Sequence, residues 1–258
     1  MQTRLTLDDA AWTNRWRHRS TVEKGTLALG LLTVALTTGP VGGVLVLVVA
    51  SVAACGLARV PPRTWLTALA SPLVFIVLAV LSITVTLDRP QAGVLWEVGP
   101  LIVTDATLLR GVEVFLRSLP AAACLVLLAT TTPVPHLLAS AARVPGLAVL
   151  ADIAGVMYRL LFGLREAQAA VRESQAARLG FRTSRAARHS TGMLAGAVFI
   201  RAWNQARRLE AGLAGRGYTG GALGVPTTTQ VDRGFLVVSV IVVAAVAVAA
   251  IVLPGWNR

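Results

Sequence analysis

The sequence predicts an all-α integral membrane protein of about five transmembrane helices, with long amphipathic cytoplasmic helices between the fourth and last spans. Three observations carry this reading. The chain is 55% hydrophobic and only 14% charged over 258 residues, a balance that a soluble domain of this length rarely has. Several apolar runs approach or exceed the roughly 20 residues that cross a hydrocarbon core about 30 Å thick. Between the last two runs the apolar residues thin out, recur at helical spacing and alternate with arginine, the pattern of surface helices.

The first apolar run, residues 25–38, ends at the turn signal Gly39-Pro40. The second, 41–58, is closed by Arg59 and Pro61-Pro62-Arg63. The third, 65–87, opens on Trp65, read as an interfacial anchor, and contains Pro72, expected to kink it. A polar stretch with Asp88, Arg89, Glu97 and Asp105 follows. The fourth run, 111–131, carries Arg117 in its first turns, and the last, 235–253, is the most uniformly apolar. Residues 1–131 thus make the amino-terminal tail and four spans, 132–233 a cytoplasmic helical domain, and 234–258 the last span and an external carboxyl terminus. The first 24 residues are too long and too charged for the n-region of a cleaved signal peptide, so the amino terminus is expected to be retained.

The net charge of +12 is nearly all arginine, and Lys24 is the only lysine. Such a balance raises nucleic acid as a partner. These arginines, however, flank the spans, where positive charge marks the cytoplasmic side and meets anionic lipid. The expected partner is the bilayer, with no nucleic acid. The tail, the connection with Arg59 and Arg63, and the segment 143–233 are arginine-rich, whereas the connections at 38–41 and 88–110 are poor in basic residues. Five spans in the cell membrane with a cytoplasmic amino terminus satisfy this distribution. Residues 144–164 could be taken for a sixth span, but Asp152 and Arg159 would be costly at mid-bilayer. One crossing there would also carry the arginine-rich segment outside. A helix at or just beneath the membrane surface is expected instead; six spans with a shallow hairpin at 193–200 is the alternative.

In the cytoplasmic segment, Leu160, Leu161, Leu164, Ala167, Val171 and Ala177 mark one amphipathic helix. Leu194, Val198, Phe199, Ala202, Ala206, Leu209 and Leu213 mark a second. Each reaches an arginine among small residues near its carboxyl end, Arg178 in Ala177-Arg178-Leu179-Gly180 and Arg216 in Gly215-Arg216-Gly217. A glycine follows within two residues, as it often does where a helix stops. Two readings fit: helix termination with a solubilising charge, or a pair of similar handles for two copies of a soluble partner.

No nucleotide-binding loop of the type G-x-x-x-x-G-K-[ST] occurs, so the chain is not expected to bind ATP. His18, His136 and His189 lack ligand spacing, and Cys55 and Cys124 sit singly in apolar runs, which implies no metal, disulfide or cofactor. An intramembrane enzyme would need paired polar groups within the spans, and none is evident.

At Arg178 and Arg216 the sequence resembles the transmembrane T component of energy-coupling factor (ECF) transporters, whose two cytoplasmic motifs place an arginine between small residues. Gly215-Arg216-Gly217 is close to that pattern; Ala177-Arg178-Leu179 departs at Leu179, with Gly180 one position late. Asn14-Arg15-Trp16-Arg17-His18-Arg19-Ser20, Thr130-Thr131-Thr132-Pro133 and Tyr158-Arg159-Leu160-Leu161-Phe162 are similar to segments of the cobalt branch, CbiQ. The resemblance implies a non-catalytic coupling subunit. Ala177, Arg178 and Leu179, and Gly215, Arg216 and Gly217, would each bind one of two ABC-type ATPase (CbiO-like) subunits. A CbiM-like membrane subunit, with a small CbiN-like one, would bind cobalt ion; nickel, biotin or other vitamins are the alternative cargoes.

Overall fold

A computed structural model of the chain describes residues 6–85, 94–98, 101–219 and 232–252. Arg4, Asp88, Arg89 and the terminal Trp256-Asn257-Arg258 lie outside these. The chain forms two compact units, one of Met1–Leu137 with Thr228–Arg258 and one of Leu138–Thr227.

In the first unit, α1 (Thr6–Thr13) leads through a turn to α2 (Thr21–Thr37). Ser20 starts α2 by accepting the Val22 N–H at 3.4 Å, satisfying one of the donors that a helix start leaves unpaired. α3 (Pro40–Ser51) has proline in its first turn, where the missing N–H costs nothing. It runs on into a π-helical turn, Val52–Leu57, and the chain then reverses at Arg59, whose φ is +58°. α4 (Pro62–Thr84) continues through Pro72 as one helix. A short antiparallel pair of strands follows, β1 (Val94–Val98) with β2 (Leu101–Thr104), in which Val98 pairs with Leu101. α5 (Asp105–Thr131) begins six residues before the apolar run because Thr104 and Thr107 form a capping box. Then come α6 (Val134–Ala141), within which the first unit ends at Leu137, and, after the second unit, α9 (Arg233–Val252).

Pro40–Leu57, Pro62–Thr84, Asp105–Thr131 and Arg233–Val252 are long and apolar enough to cross a membrane. At 17 residues, α2 reaches about 25 Å, the short end of a span, and it packs in the same bundle against α3, α5 and α9. The core lies where α2, α3 and α5 meet: Leu31, Val46, Ala50, Ala54, Ala123 and Cys124 are wholly buried. The α3–α5 contact depends on a glycine. Pro120 carries no N–H, so the Leu116 carbonyl lacks its helical donor, and a Cβ at Gly43 would collide with that oxygen. Most apolar side chains of α4 point outward, Phe75 being 78% exposed, as lipid contact requires and water would not favour. The all-α membrane class therefore holds, with the strand pair as a minor addition.

Trp65 departs from its expected role. It is 4% exposed and belongs to the core rather than anchoring an interface, because α1 packs against α4.

In the second unit, α7 (Ala148–Ala177) and α8 (Ser184–Ala214) pack on each other. Although 30 and 31 residues long, neither is among the helices apolar enough to span. α8 starts ten residues before its apolar pattern because Thr183 accepts the Ala186 N–H at 3.2 Å and caps it.

Candidate functional site

Both sequence-selected arginines lie in the second unit, and both occupy the same backbone position at a helix end. After α7, Leu179 N–H donates to the Ala176 carbonyl (3.0 Å) and Gly180 N–H to the Gln175 carbonyl (2.8 Å). After α8, Gly217 N–H donates to the Ala214 carbonyl (3.0 Å) and Tyr218 N–H to the Leu213 carbonyl (3.1 Å). Each pair of bonds is a Schellman motif, which closes the last carbonyls of a helix around one residue of left-handed conformation. That residue is Leu179 (φ +58°) in the first and Gly217 (φ +69°) in the second. The arginine stands immediately before it in both cases. There its positive charge sits at the negative end of the helix dipole.

The Leu-for-Gly difference therefore does not change the backbone of the first motif. Gly180, one position late in sequence, has a separate role. The Ser190 hydroxyl of α8 donates to its carbonyl at 2.9 Å, and a Cβ on Gly180 would press on the Ser190 hydroxyl and the Gln175 carbonyl. This contact ties the turn after α7 to α8. Ala177, Arg178, Leu179, Gly215, Arg216 and Gly217 are all exposed. Neither Arg178 nor Arg216 forms an ion pair among the described residues. Two guanidinium groups on rigid, solvent-facing helix ends are suited to enter carboxylate-bearing recesses of another protein.

Sequence reasoning missed a second polar constellation, at one end of the first unit's bundle. α5 ends with carbonyls that have no helical donor. Asn14 Nδ2 donates to the Thr130 carbonyl (3.0 Å) and Lys24 Nζ to the Thr131 carbonyl (2.8 Å). Asn14 and Lys24 are buried, at 7% and 2% exposure. The neighbouring Glu23, 0% exposed, turns to α9 instead. Its Oε1 accepts the Asp232 backbone N–H (2.7 Å), and its Oε2 lies 3.8 Å from Arg19 Nη1. Arg19 donates to Asp232 Oδ2 (2.8 Å) and lies over the Phe235 ring, 4.5 Å from its centroid. The hydrogen bond from Arg19, with a second from the Gly234 N–H, holds the Asp232 carboxyl below the usual carboxylate range. His136, in α6, receives the Thr21 hydroxyl on its backbone carbonyl (3.2 Å). Burial, helped by the charges of Lys24, His18 and Arg17, lowers its imidazole below the ordinary 6.5. The signal that could have revealed this cluster is Glu23-Lys24 at the mouth of an apolar run, where two adjacent charges need partners.

Fold and site define a multi-pass α-helical membrane protein that carries a separate helical unit with two arginine-tipped ends. Residues 13–227, a range that includes both arginines, match the CbiQ family, described as cobalt transport protein. The chain belongs to that family. It is 34% identical over 215 residues to the cobalt transport protein CbiQ of Rhodobacter capsulatus, covering 83% of this chain and 84% of that one. It is 31% identical over 202 residues to the cobalt transport protein CbiQ of Salmonella typhimurium, covering 76% and 88%. An uncharacterized protein of Methanocaldococcus jannaschii is 27% identical over 218 residues, covering 83% and 81%.

Proposed function

We propose that the chain is the membrane-embedded coupling subunit of a cobalt ion transporter of the energy-coupling factor type, and that it performs no catalysis itself. The observation that carries the reading is the pair of identical helix ends. Two exposed guanidinium groups, with no ion pair among the described residues, are held on the same Schellman backbone, as two copies of one soluble partner would require. The partners are two ABC-type ATPase subunits, which hydrolyse ATP, and a substrate-binding membrane subunit with its small companion, which bind the metal. Residues 132–233 serve as the coupling-helix domain, and closure of the ATPase pair displaces α7 and α8 relative to each other. The distribution of arginine supports five spans with the amino terminus in the cytoplasm, so that both motifs face the ATPases.

The test is charge reversal. Arg216→Glu and Arg178→Glu each leave an acidic ATPase recess facing a like charge. Loss of one desolvated, charge-assisted pair costs about 3–5 kcal/mol, on the order of a hundredfold or more in affinity. ATPase recovery with the purified membrane subunit and cobalt uptake should both collapse, with membrane insertion unchanged. Normal assembly and uptake in the double variant would refute the assignment.

A further inference from the structure

A groove of about 790 Å³ lies between α7 and α8. On the α7 side, Gly163 and Ala167 keep the space open because they carry little or no side chain. On the α8 side, Arg201, Asn204, Gln205 and Arg208 line it, spaced so that all four share one face of the helix. Among the described residues, none of these four side chains forms a hydrogen bond or ion pair. Two guanidinium groups and two amides are thus left as donors toward one opening. The lining holds no acidic side chain; Glu166, beside Ala167 in sequence, is exposed and stands outside it. One edge of the groove is apolar. Ile200 belongs to the lining, and Met193, seven residues earlier, falls on the same side of α8. Both are exposed, at 61% and 57%.

We propose that this groove holds the headgroup of one anionic phospholipid. Arg201 and Arg208 stand about 10 Å apart along α8 and close on the phosphate from either side through charge-assisted hydrogen bonds. Asn204 and Gln205, between them, donate to the remaining headgroup oxygens. An acyl chain leaves along Ile200 and Met193, which gives two exposed apolar side chains the neighbour that water does not. A soluble phosphate would engage the arginines and leave that edge bare, so the ligand assigned is the lipid. The site does not depend on the coupling role. It also differs from a general attraction of basic residues to the bilayer surface, because one lipid is selected by its charge and held between two helices.

The experiment is native mass spectrometry of the full chain in an uncharged maltoside detergent, titrated with phosphatidylglycerol. The parent should retain one lipid tightly, and phosphatidylcholine with the same acyl chains should bind more weakly. Arg201→Gln with Arg208→Gln should weaken the first phosphatidylglycerol by about ten- to thirtyfold, the value of two arginines at an anionic headgroup. Arg185→Gln with Arg188→Gln removes the same charge from exposed positions of α8 outside the groove and should leave that affinity unchanged. All four arginines are exposed, so neither double variant disturbs packing. Ala167→Leu, which fills the groove without altering charge, should weaken binding as the first pair does. Equal losses in the two arginine pairs, or no loss in the first, would overturn the proposal. Glycerol 3-phosphate displacing the lipid at equal concentration would overturn it in favour of a soluble anion. Loss of the lipid from the parent once the partner membrane subunit is bound would overturn it in favour of a protein contact.

Discussion

Glu23→Ala is the perturbation whose cost follows most directly from the geometry. Glu23 is fully buried, and its Oε1 accepts the Asp232 backbone N–H at 2.7 Å. Truncation leaves that N–H without its acceptor, at about 1–3 kcal/mol. The pair with Arg19 adds less than about 1 kcal/mol, because the Arg19 side chain is 38% exposed and the contact is 3.8 Å long. The sum is about 1–4 kcal/mol, a fall of roughly 3–15 °C in melting temperature for a chain of this size. Glu23→Gln keeps an oxygen for the Asp232 N–H and should cost about 1 kcal/mol. Arg19→Ala removes an exposed ion pair and a ring contact, and should cost about 1–2 kcal/mol. Cys124, which is 0% exposed, supplies the assay. A thiol-reactive dye in detergent reports its exposure on unfolding, with Cys55 replaced by serine to silence the half-buried thiol. The expected order of stability is parent, Gln, Ala. An alanine variant melting within about 2 °C of the parent would refute the reasoning. So would an Arg19→Ala cost as large as that of Glu23→Ala, which would assign the effect to the charge pair rather than to the buried N–H.

The remaining predictions concern pH and topology. The folded value of His136 lies below its ordinary 6.5, so the unfolded chain binds the extra proton more readily. Its contribution to stability is fully present above pH 6.5 and is lost as pH falls through the folded value. His136→Asn should therefore flatten the decline in melting temperature below pH 6.5, and an unchanged slope would show that His136 is not the titrating group. For topology, a lone cysteine at Ser184, at the exposed start of α8, should react with an impermeant thiol reagent in inverted vesicles and not in intact cells. Labelling from outside only would reverse the proposed orientation.

The spans were legible because lipid imposes one demand on every outward-facing position. α9 and α4 therefore read as continuous apolar runs, and the structure places their ends within a few residues of the runs. The capping boundaries were less legible. Thr104 and Thr183 extend α5 and α8 beyond their apolar patterns through hydrogen bonds that hydropathy does not register. Arg178 and Arg216 could be picked out as helix ends, but their equivalence could not. Leu179 looked like a departure in residue type, and only its φ shows that leucine here takes the conformation of glycine. Least legible were Asn14 and Lys24, which read as part of a charged tail. Their partners, the carbonyls of Thr130 and Thr131, are backbone groups 116 and 107 positions away, and no local pattern announces them.

The same cluster has a mechanical consequence that follows from which groups it joins. The chain leaves the first unit at Leu137, within α6, and returns to it at Thr228, shortly before Asp232. The departing strand is held by Asn14 on Thr130, Lys24 on Thr131 and Thr21 on His136. The returning strand is held by Glu23 and Arg19 on Asp232. Glu23 and Lys24 are consecutive in the first turn of α2, so their side chains diverge by about 100° around the helix axis, and one reaches α9 while the other reaches α5. Both connections are therefore tied to the same helical turn, which is itself capped by Ser20. Buried polar groups are costly to leave unmatched, and here Glu23 Oε1, Lys24 Nζ and Asn14 Nδ2 each meet a backbone group near a point where the chain enters or leaves the first unit. That placement accounts for the presence of a buried Glu-Lys pair at the start of an otherwise apolar helix.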